Sequence, residues 1–221
     1  MSPNSDVLGV IPAAGLSSRI GGNPKPLLET GSGTFLARII RALREGGADP
    51  IMVGVRDDPG PVAAEARRAG ARVLVPPDLE AGPVATLQAA LRLARREGNV
   101  TGANGESRSP VRALLFLPSD FPLVQGTTVR ALVEAWRETG APLILPLEGE
   151  RTGHPALFAG PLLDELLDPT LPEGARSVVD AHRSEAVQVP VDDPGIHVDI
   201  DTLSEYRRHF PTAYRKRFQK W

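Results

Sequence analysis

Cysteine is absent from the 221 residues. No disulfide, no thiolate metal site and no cysteine nucleophile is therefore available. No run of about 20 consecutive apolar residues exists, the length a membrane-crossing helix needs. Residues 1–6 are polar and lack a signal-peptide core. Charge bias is missing too: 25 basic residues stand against 27 acidic ones, a net charge of −2. No global field draws the chain to nucleic acid or membrane. The expectation is a cytoplasmic protein with no membrane partner and with nucleic acid disfavoured as one. What is present is ordinary, 41% hydrophobic and 24% charged residues, the balance of a globular protein. The length fits one large α/β domain or two small ones, and a chain of this size buries roughly 70% of its unfolded surface, enough for a core without staples.

Apolar runs and helical periodicities alternate along the chain. Residues 7–11 read as a buried strand broken by Gly9, running into the turn Pro12-Ala13-Ala14-Gly15. Over 34–45, Phe35, Leu36, Ile39, Ile40 and Leu43 mark one helix face, with Arg38, Arg41 and Arg44 outside it and Gly46-Gly47 as the stop. Strands follow at 51–55, 72–75, 111–117 and 143–146, and helices at 61–69, 84–96 and 127–138. Residues 99–110 are polar and Gly/Ser-rich, a flexible loop by composition. Beyond Gly149 the rhythm changes: 155–158 and 186–191 read as strands, expected to be small antiparallel additions, with two helical pieces between them. The fold class expected is α/β, doubly wound, a mainly parallel sheet with helices on both faces. One domain over 1–211 is followed by a basic aromatic tail at 212–221, with Tyr214, Arg215, Lys216, Arg217, Phe218, Lys220 and Trp221. Such a tail can touch RNA, an anionic ligand or a partner, or simply form a packed or frayed terminal helix.

In such sheets ligands bind outside the carboxyl ends of the strands. Two segments there carry unusual chemistry, residues 13–25 and 118–122. The first is rich in small residues, which lets backbone N–H groups approach an anion, and it carries Arg19 and Lys25. A triphosphate needs both fixed amide donors and cations that follow charge onto the leaving pyrophosphate. The plainer reading is a surface loop with two solvated cations. The Walker ending Gly-Lys-Ser/Thr does not occur, and the dinucleotide fingerprint is missing after the first strand. Gly31-Ser32-Gly33-Thr34 resembles that fingerprint loosely, and reads better as a turn with Ser32 or Thr34 capping the next helix.

The stretch Ile11-Pro12-Ala13-Ala14-Gly15-Leu16-Ser17-Ser18-Arg19, continued by Lys25-Pro26-Leu27-Leu28, resembles the signature loop of the molybdenum-cofactor nucleotidyltransferases. Pro12 and Ile20 depart from the usual residues, while the glycine and lysine are kept. Gly82-Pro83-Val84-Ala85-Thr86-Leu87 is similar to that family's base-contacting loop, and Asp120-Phe121-Pro122 to its metal-binding element. Gly153-His154-Pro155, Gly174-Ala175-Arg176 and Asp199-Ile200-Asp201-Thr202 resemble further elements, so the likeness spans about residues 7–207. It implies the fold of the nucleotide-diphospho-sugar transferases. It also implies transfer of a nucleoside monophosphate from CTP or GTP to a phosphorylated small molecule, molybdopterin in this family, with release of pyrophosphate.

The resemblance assigns the nucleotide to Pro12, Ala13, Ala14, Gly15, Leu16, Ser17, Ser18, Arg19, Lys25, Gly82, Pro83 and Thr86, with Asp78 as an added candidate. Arg19, Lys25 and Asp120 become catalytic. Asp120 and Asp201 become Mg²⁺ ligands, consistent with magnesium's preference for carboxylate, phosphate and water oxygens. Asp199 lies two residues from Asp201 and, in a strand, would share its face, so either residue or both can serve. The acceptor falls to His154 and Arg176, although Pro172-Glu173 replaces the family's usual acidic residue before the Gly-Ala-Arg element. Each residue also has a plainer reading: a turn aspartate, Pro83 at a helix start, a packed histidine, a surface arginine. His182, His197 and His209 are scattered and suggest no metal cluster. Base choice stays open, because Gly82-Pro83-Val84-Ala85 leans to guanylyl transfer and the Asp-Ile-Asp-Thr element to cytidylyl transfer. A sugar-1-phosphate nucleotidyltransferase and a non-catalytic nucleotide-binding accessory protein remain the alternatives.

Overall fold

The computed structural model describes residues 5–15, 20, 22–98 and 110–219. Leu16, Ser17, Ser18 and Arg19 of the first loop, residues 99–109 of the loop expected at 99–110, and Lys220 and Trp221 lie outside the described residues.

Eight strands form one sheet: β1 (Val7–Pro12), β2 (Ile51–Gly54), β3 (Arg72–Leu74), β4 (Ala113–Phe116), β5 (Leu143–Glu148), β6 (Arg151–Thr152), β7 (Ala156–Ala159) and β8 (Val187–Pro190). Their order is β3-β2-β1-β4-β7-β5-β6, with β8 pairing β5. Around them lie α1 (Phe35–Glu45), α2 (Pro61–Arg68), α3 (Pro83–Gly98), α4 (Gly126–Thr139), α5 (Leu162–Glu165), α6 (Ala175–Ala181), α7 (Leu203–His209) and α8 (Pro211–Phe218).

Strand alternation sorts the helices into two layers. Val7 and Ile11 point into a core shared with α1, α2 and α4, whereas Leu8 and Val10 point into a core shared with α3, α5 and α6. Each such fully buried aliphatic contributes roughly 1.5–3 kcal/mol. Gly9 faces the first layer and lets α1 settle close, since a Cβ there would sit 3.3 Å from Leu43 Cδ1 and 3.1 Å from Ile51 Cγ1. Thr34, rather than Ser32, caps α1 by accepting from the Ala37 N–H at 3.1 Å. The chain is thus a doubly wound α/β protein with a mixed, mostly parallel sheet.

The C-terminal strands differ from expectation. β7 is antiparallel, but it sits inside the sheet, paired to β4 on one side and β5 on the other. β8 runs parallel to β5, and the two-residue β6 adds a short hairpin arm to β5. All four residues of β7 are buried, as are those of β4. An unbroken apolar run of that kind fixes neither the neighbour nor the direction of a strand.

β1 lies between β2 and β4, so the chain leaves it toward β2 and β3 on one side and returns to β4 on the other. That is a topological switch point, and a crevice opens at the strands' carboxyl ends. A third core braces this edge: Tyr206 and Phe210 from α7 and its end, with Ala213 of α8, pack against Ile20, Leu28 and Phe35. Among the described residues no helix is long and apolar enough to cross a membrane.

Candidate active site

The loops after β1 and β4 emerge side by side, because β1 and β4 pair in parallel with Val10 opposite Phe116. Lys25 opens a one-turn 3-10 helix, Lys25–Leu27, at the end of the first loop. Its ammonium donates to Asp201 Oδ1 and lies 3.5 Å from Asp120 Oδ2. Three groups separated by 95 and 176 positions therefore meet at one point. Asp120 is delivered by the turn after β4, and its carbonyl accepts from the Ile200 N–H at 2.9 Å, which ties the two acidic segments together. Asp201 stands just before α7, whose capping box joins Thr202 and Glu205; the Glu205 carboxylate also accepts from the Asp201 N–H at 2.8 Å.

Burial pushes the Asp120 carboxyl above the usual range, and the nearby Asp201 pushes the same way against the pull of Lys25. Its Oδ1 is buried without a hydrogen-bond partner. Asp199 does not join this pair. It is exposed, and residues 198–200 are not strand, so alternate-residue facing does not apply there. Among the described residues no group of three potential metal-ligating side chains is gathered.

A cavity of about 320 Å³ opens beside the cluster. Pro12, Ala13, Ala14 and Gly15 line it from the first loop, Gly82, Pro83 and Thr86 from the start of α3, and Lys25 and Asp120 from the cluster. Gly82 has φ 71°, the left-handed turn from which α3 starts. Thr86 reaches the end of β2 only because residue 54 is glycine: a Cβ on Gly54 would collide with the Thr86 hydroxyl. Asp78, expected at the nucleotide, does not line the cavity. It is exposed, and its carboxylate accepts from the N–H groups of Glu80 (2.9 Å) and Ala81 (3.2 Å), closing the turn before α3. Arg56 was not expected and does line the cavity, with its Nε buried and unpartnered. Its signal in the sequence was position alone, the first charged residue past the apolar run of β2.

A second cavity of about 610 Å³ adjoins the first, and Pro83 and Pro118 line both. Phe116, Leu145, Ala156 and Phe158 line it from the sheet face that packs α3, α5 and α6. His154 and Arg176, the two expected acceptor residues, both line this space. Gly153 carries His154 past the 3-10 turn Pro194–His197: a Cβ at Gly153 would collide with the Ile196 carbonyl, which accepts from the His154 N–H at 3.0 Å. The His154 ring meets Phe121 edge-on at 4.5 Å, and burial lowers its pKa to about 4. It is a neutral imidazole at physiological pH. Arg176 is at the rim, 74% exposed and 3.4 Å from both Glu173 and Asp180. Arg183 and His197 line the cavity as well and were not anticipated as site residues.

Among the described residues five buried side-chain atoms lack a hydrogen-bond partner: Arg56 Nε, Thr86 Oγ1, Asp120 Oδ1, His154 Nδ1 and His197 Nε2. Every one belongs to a residue that lines one of the two cavities. Each unmet buried group costs about 1–3 kcal/mol, and native proteins keep few of them. Their concentration here marks places where a ligand would complete the hydrogen bonding.

Fold and site together define a doubly wound α/β protein whose paired ligand cavities open at the switch point of the sheet. More narrowly, the chain belongs to the MobA-like NTP transferase domain family, whose model matches residues 9–187. It is 32% identical over 149 residues to a molybdenum cofactor guanylyltransferase of Nitrobacter hamburgensis, a match covering 67% of this chain and 64% of that one. It is 29% identical over 221 residues to a molybdenum cofactor guanylyltransferase of Ralstonia nicotianae, covering 94% of this chain and 98% of the relative. Among solved structures, Rv0371c of Mycobacterium tuberculosis H37Rv superposes with a TM-score of 0.70 at 26% identity, covering 96% of this chain and 100% of the other.

Proposed function

We propose that this protein transfers a nucleoside monophosphate from an NTP to a phosphorylated small molecule, releasing pyrophosphate. The observation that carries the proposal is the meeting of Lys25, Asp120 and Asp201 beside the cavity of the first loop, with a second cavity across a shared wall. Two adjoining spaces suit two substrates that react directly. An oxygen of the acceptor phosphate forms a bond to the α-phosphorus as the bond to pyrophosphate breaks. A phosphate is already ionised at neutral pH, so no general base is required. Catalysis then rests on positioning and charge neutralisation. Lys25 and Arg56 bring cationic charge to the cavity where pyrophosphate would leave.

The residues present fit Mg²⁺. Asp120 and Asp201 are two carboxylates held near each other by one cation, and Asp120 buries an oxygen that nothing satisfies. Asp120 and Asp201 would hold the ion, with phosphate and water oxygens completing its shell. When bound, it supplies further neutralisation of the phosphates. The relatives' description as molybdenum cofactor guanylyltransferases favours GTP as donor and molybdopterin as acceptor.

The test is a panel of GTP, CTP, ATP and UTP with Mg²⁺, against molybdopterin and sugar phosphates, reading pyrophosphate. Release with GTP and molybdopterin, abolished by EDTA, is the expected result. NTP binding with no pyrophosphate from any acceptor would instead identify a nucleotide-binding accessory protein.

A further inference from the structure

Asp193 is a buried acid with no part in the transfer reading. It is 2% exposed and lines neither cavity of the site. Its Oδ2 accepts from the Gln125 N–H at 2.9 Å and from the Thr128 hydroxyl at 2.6 Å. Its Oδ1 accepts from the Gly195 N–H at 3.0 Å and from Gln125 Nε2 at 3.3 Å. All four partners are donors, and a carboxylate answers donors with both of its oxygens. Gln125 gives α4 no side-chain cap, so the start of that helix is fastened instead by an acid 68 positions further on.

From this clasp two segments, 120–125 and 193–201, run side by side in opposite directions. Gln125 meets Asp193, Leu123 abuts Gly195, and Asp120 pairs with Ile200. The middle contact is so close that a Cβ on Gly195 would collide with the Leu123 carbonyl. The last is the 2.9 Å hydrogen bond from the Ile200 N–H to the Asp120 carbonyl, one residue before Asp201. The other flank of 193–201 is held by the His154 N–H, which donates to the Ile196 carbonyl at 3.0 Å. Ile196 and Ile200 are themselves buried, which resists sliding. One segment thus carries Asp120 and the other Asp201, and their alignment is fixed at Asp193. Magnesium holds its oxygens at about 2.0–2.1 Å in a near-ideal octahedron, so a small change in the gap between two carboxylate ligands costs affinity for the ion.

We infer that Asp193 is the positioning residue of the cation site, setting the register between the two segments and with it the gap between the Asp120 and Asp201 carboxylates. It touches neither ion nor substrate and acts through Gln125, Thr128 and Gly195. The inference rests on the transfer reading above for the role of the ion, and adds to it the residue that sets the geometry of the ion's ligands. Asp193→Asn is not a neutral exchange. An amide offers one oxygen, so its NH₂ group has to face either the Gly195 N–H or the Gln125 and Thr128 donors. Thr128→Val removes a single donor and leaves the carboxylate in place.

The experiment compares wild type with Asp193→Asn, Thr128→Val and Asp192→Asn, the last an exposed neighbour on the same segment. Two constants are read. One is the Mg²⁺ concentration that gives half-maximal pyrophosphate release from GTP and molybdopterin. The other is the Kd for Mn²⁺, added to the protein alone and followed by the electron paramagnetic resonance of the free ion. A hydrogen bond lost at the clasp raises both about tenfold. That rise is expected in Asp193→Asn and Thr128→Val, with excess Mg²⁺ restoring most of the rate and the KM for GTP at saturating Mg²⁺ unchanged. Asp192→Asn is expected to match wild type, and an equal rise there overturns the assignment to Asp193. Both constants unaltered in folded Asp193→Asn and Thr128→Val, whatever their Tm and kcat, show a structural role alone and overturn the inference. Should Asp193→Asn fail to fold, Thr128→Val decides between the same two outcomes. If no NTP and acceptor yield pyrophosphate, the transfer reading falls, and the Mn²⁺ constants still decide on Asp193. Wild-type protein that takes up no Mn²⁺ overturns the cation site and the role of Asp193 with it.

Discussion

Asp120 is asked to be both buried and charged, and the two demands oppose each other. Its carboxyl is pushed upward by burial despite Lys25 alongside, so the folded protein gives up stability at neutral pH to keep it ionised. Asp120→Asn removes that cost together with the charge. We expect turnover to fall about a thousandfold or more while the Tm stays level or rises. A lower Tm in a folded variant would contradict this opposition of burial and charge. His154 acts on stability from the opposite side. Its folded pKa of about 4 lies below the ordinary 6.5. Below pH 6.5 the unfolded chain takes up a proton that the folded chain refuses, so stability falls as the pH drops and the loss is complete below 4. The interval corresponds to about 3 kcal/mol. His154→Gln should flatten the Tm profile between pH 7 and 4.5, and an unchanged slope would refute the assignment. At this scale the sequence was readable at Asp120, which comes soon after the end of β4, and at Lys25, which closes the loop that leaves β1. Asp78 misled because a turn aspartate and a ligand-binding aspartate look alike in sequence. His197 and Arg56 were missed because their value lies in what surrounds them after folding.

The C-terminal helices do two jobs at once. The start of α7 presents Asp201, and α7 and α8 grip the far end of the first loop. Arg217 donates to Asn23 Oδ1 at 2.7 Å, and the Tyr206 hydroxyl donates to the Glu29 carbonyl at 2.7 Å. Tyr214 and Phe218 pack against Tyr206, so the aromatic residues of the tail's helix are part of a core rather than a free surface. Losing one such hydrogen bond costs about 1 kcal/mol. Arg217→Ala should therefore raise the KM for NTP a few-fold and leave the acceptor KM alone, and Tyr206→Phe should lower the Tm. Equal effects on both substrates would point to general destabilisation instead. Helix positions were legible because the 3.6-residue apolar repeat is local, as in α1 and α4. The packing of α8 was not, since basic residues alternate with its aromatics and hide the buried stripe.

For the molecule as a whole, the α/β class and the site's location at the strands' carboxyl ends followed from the alternation of elements alone. The place of β7 did not. Its partners β4 and β5 are set by long-range pairing that a four-residue apolar segment cannot announce, and the parallel run of β8 beside β5 is the same kind of fact. The sheet's switch point then explains why loops so far apart in sequence share one edge.

The wall of Pro83 and Pro118 has a kinetic meaning. With a chamber on either side and the reaction read as a direct handover, the protein has no reason to carry the nucleotidyl group on a side chain of its own. On the transfer proposed above, donor and acceptor would have to be in residence together, so the catalytic cycle would pass through a ternary complex, with neither product formed until both chambers are filled.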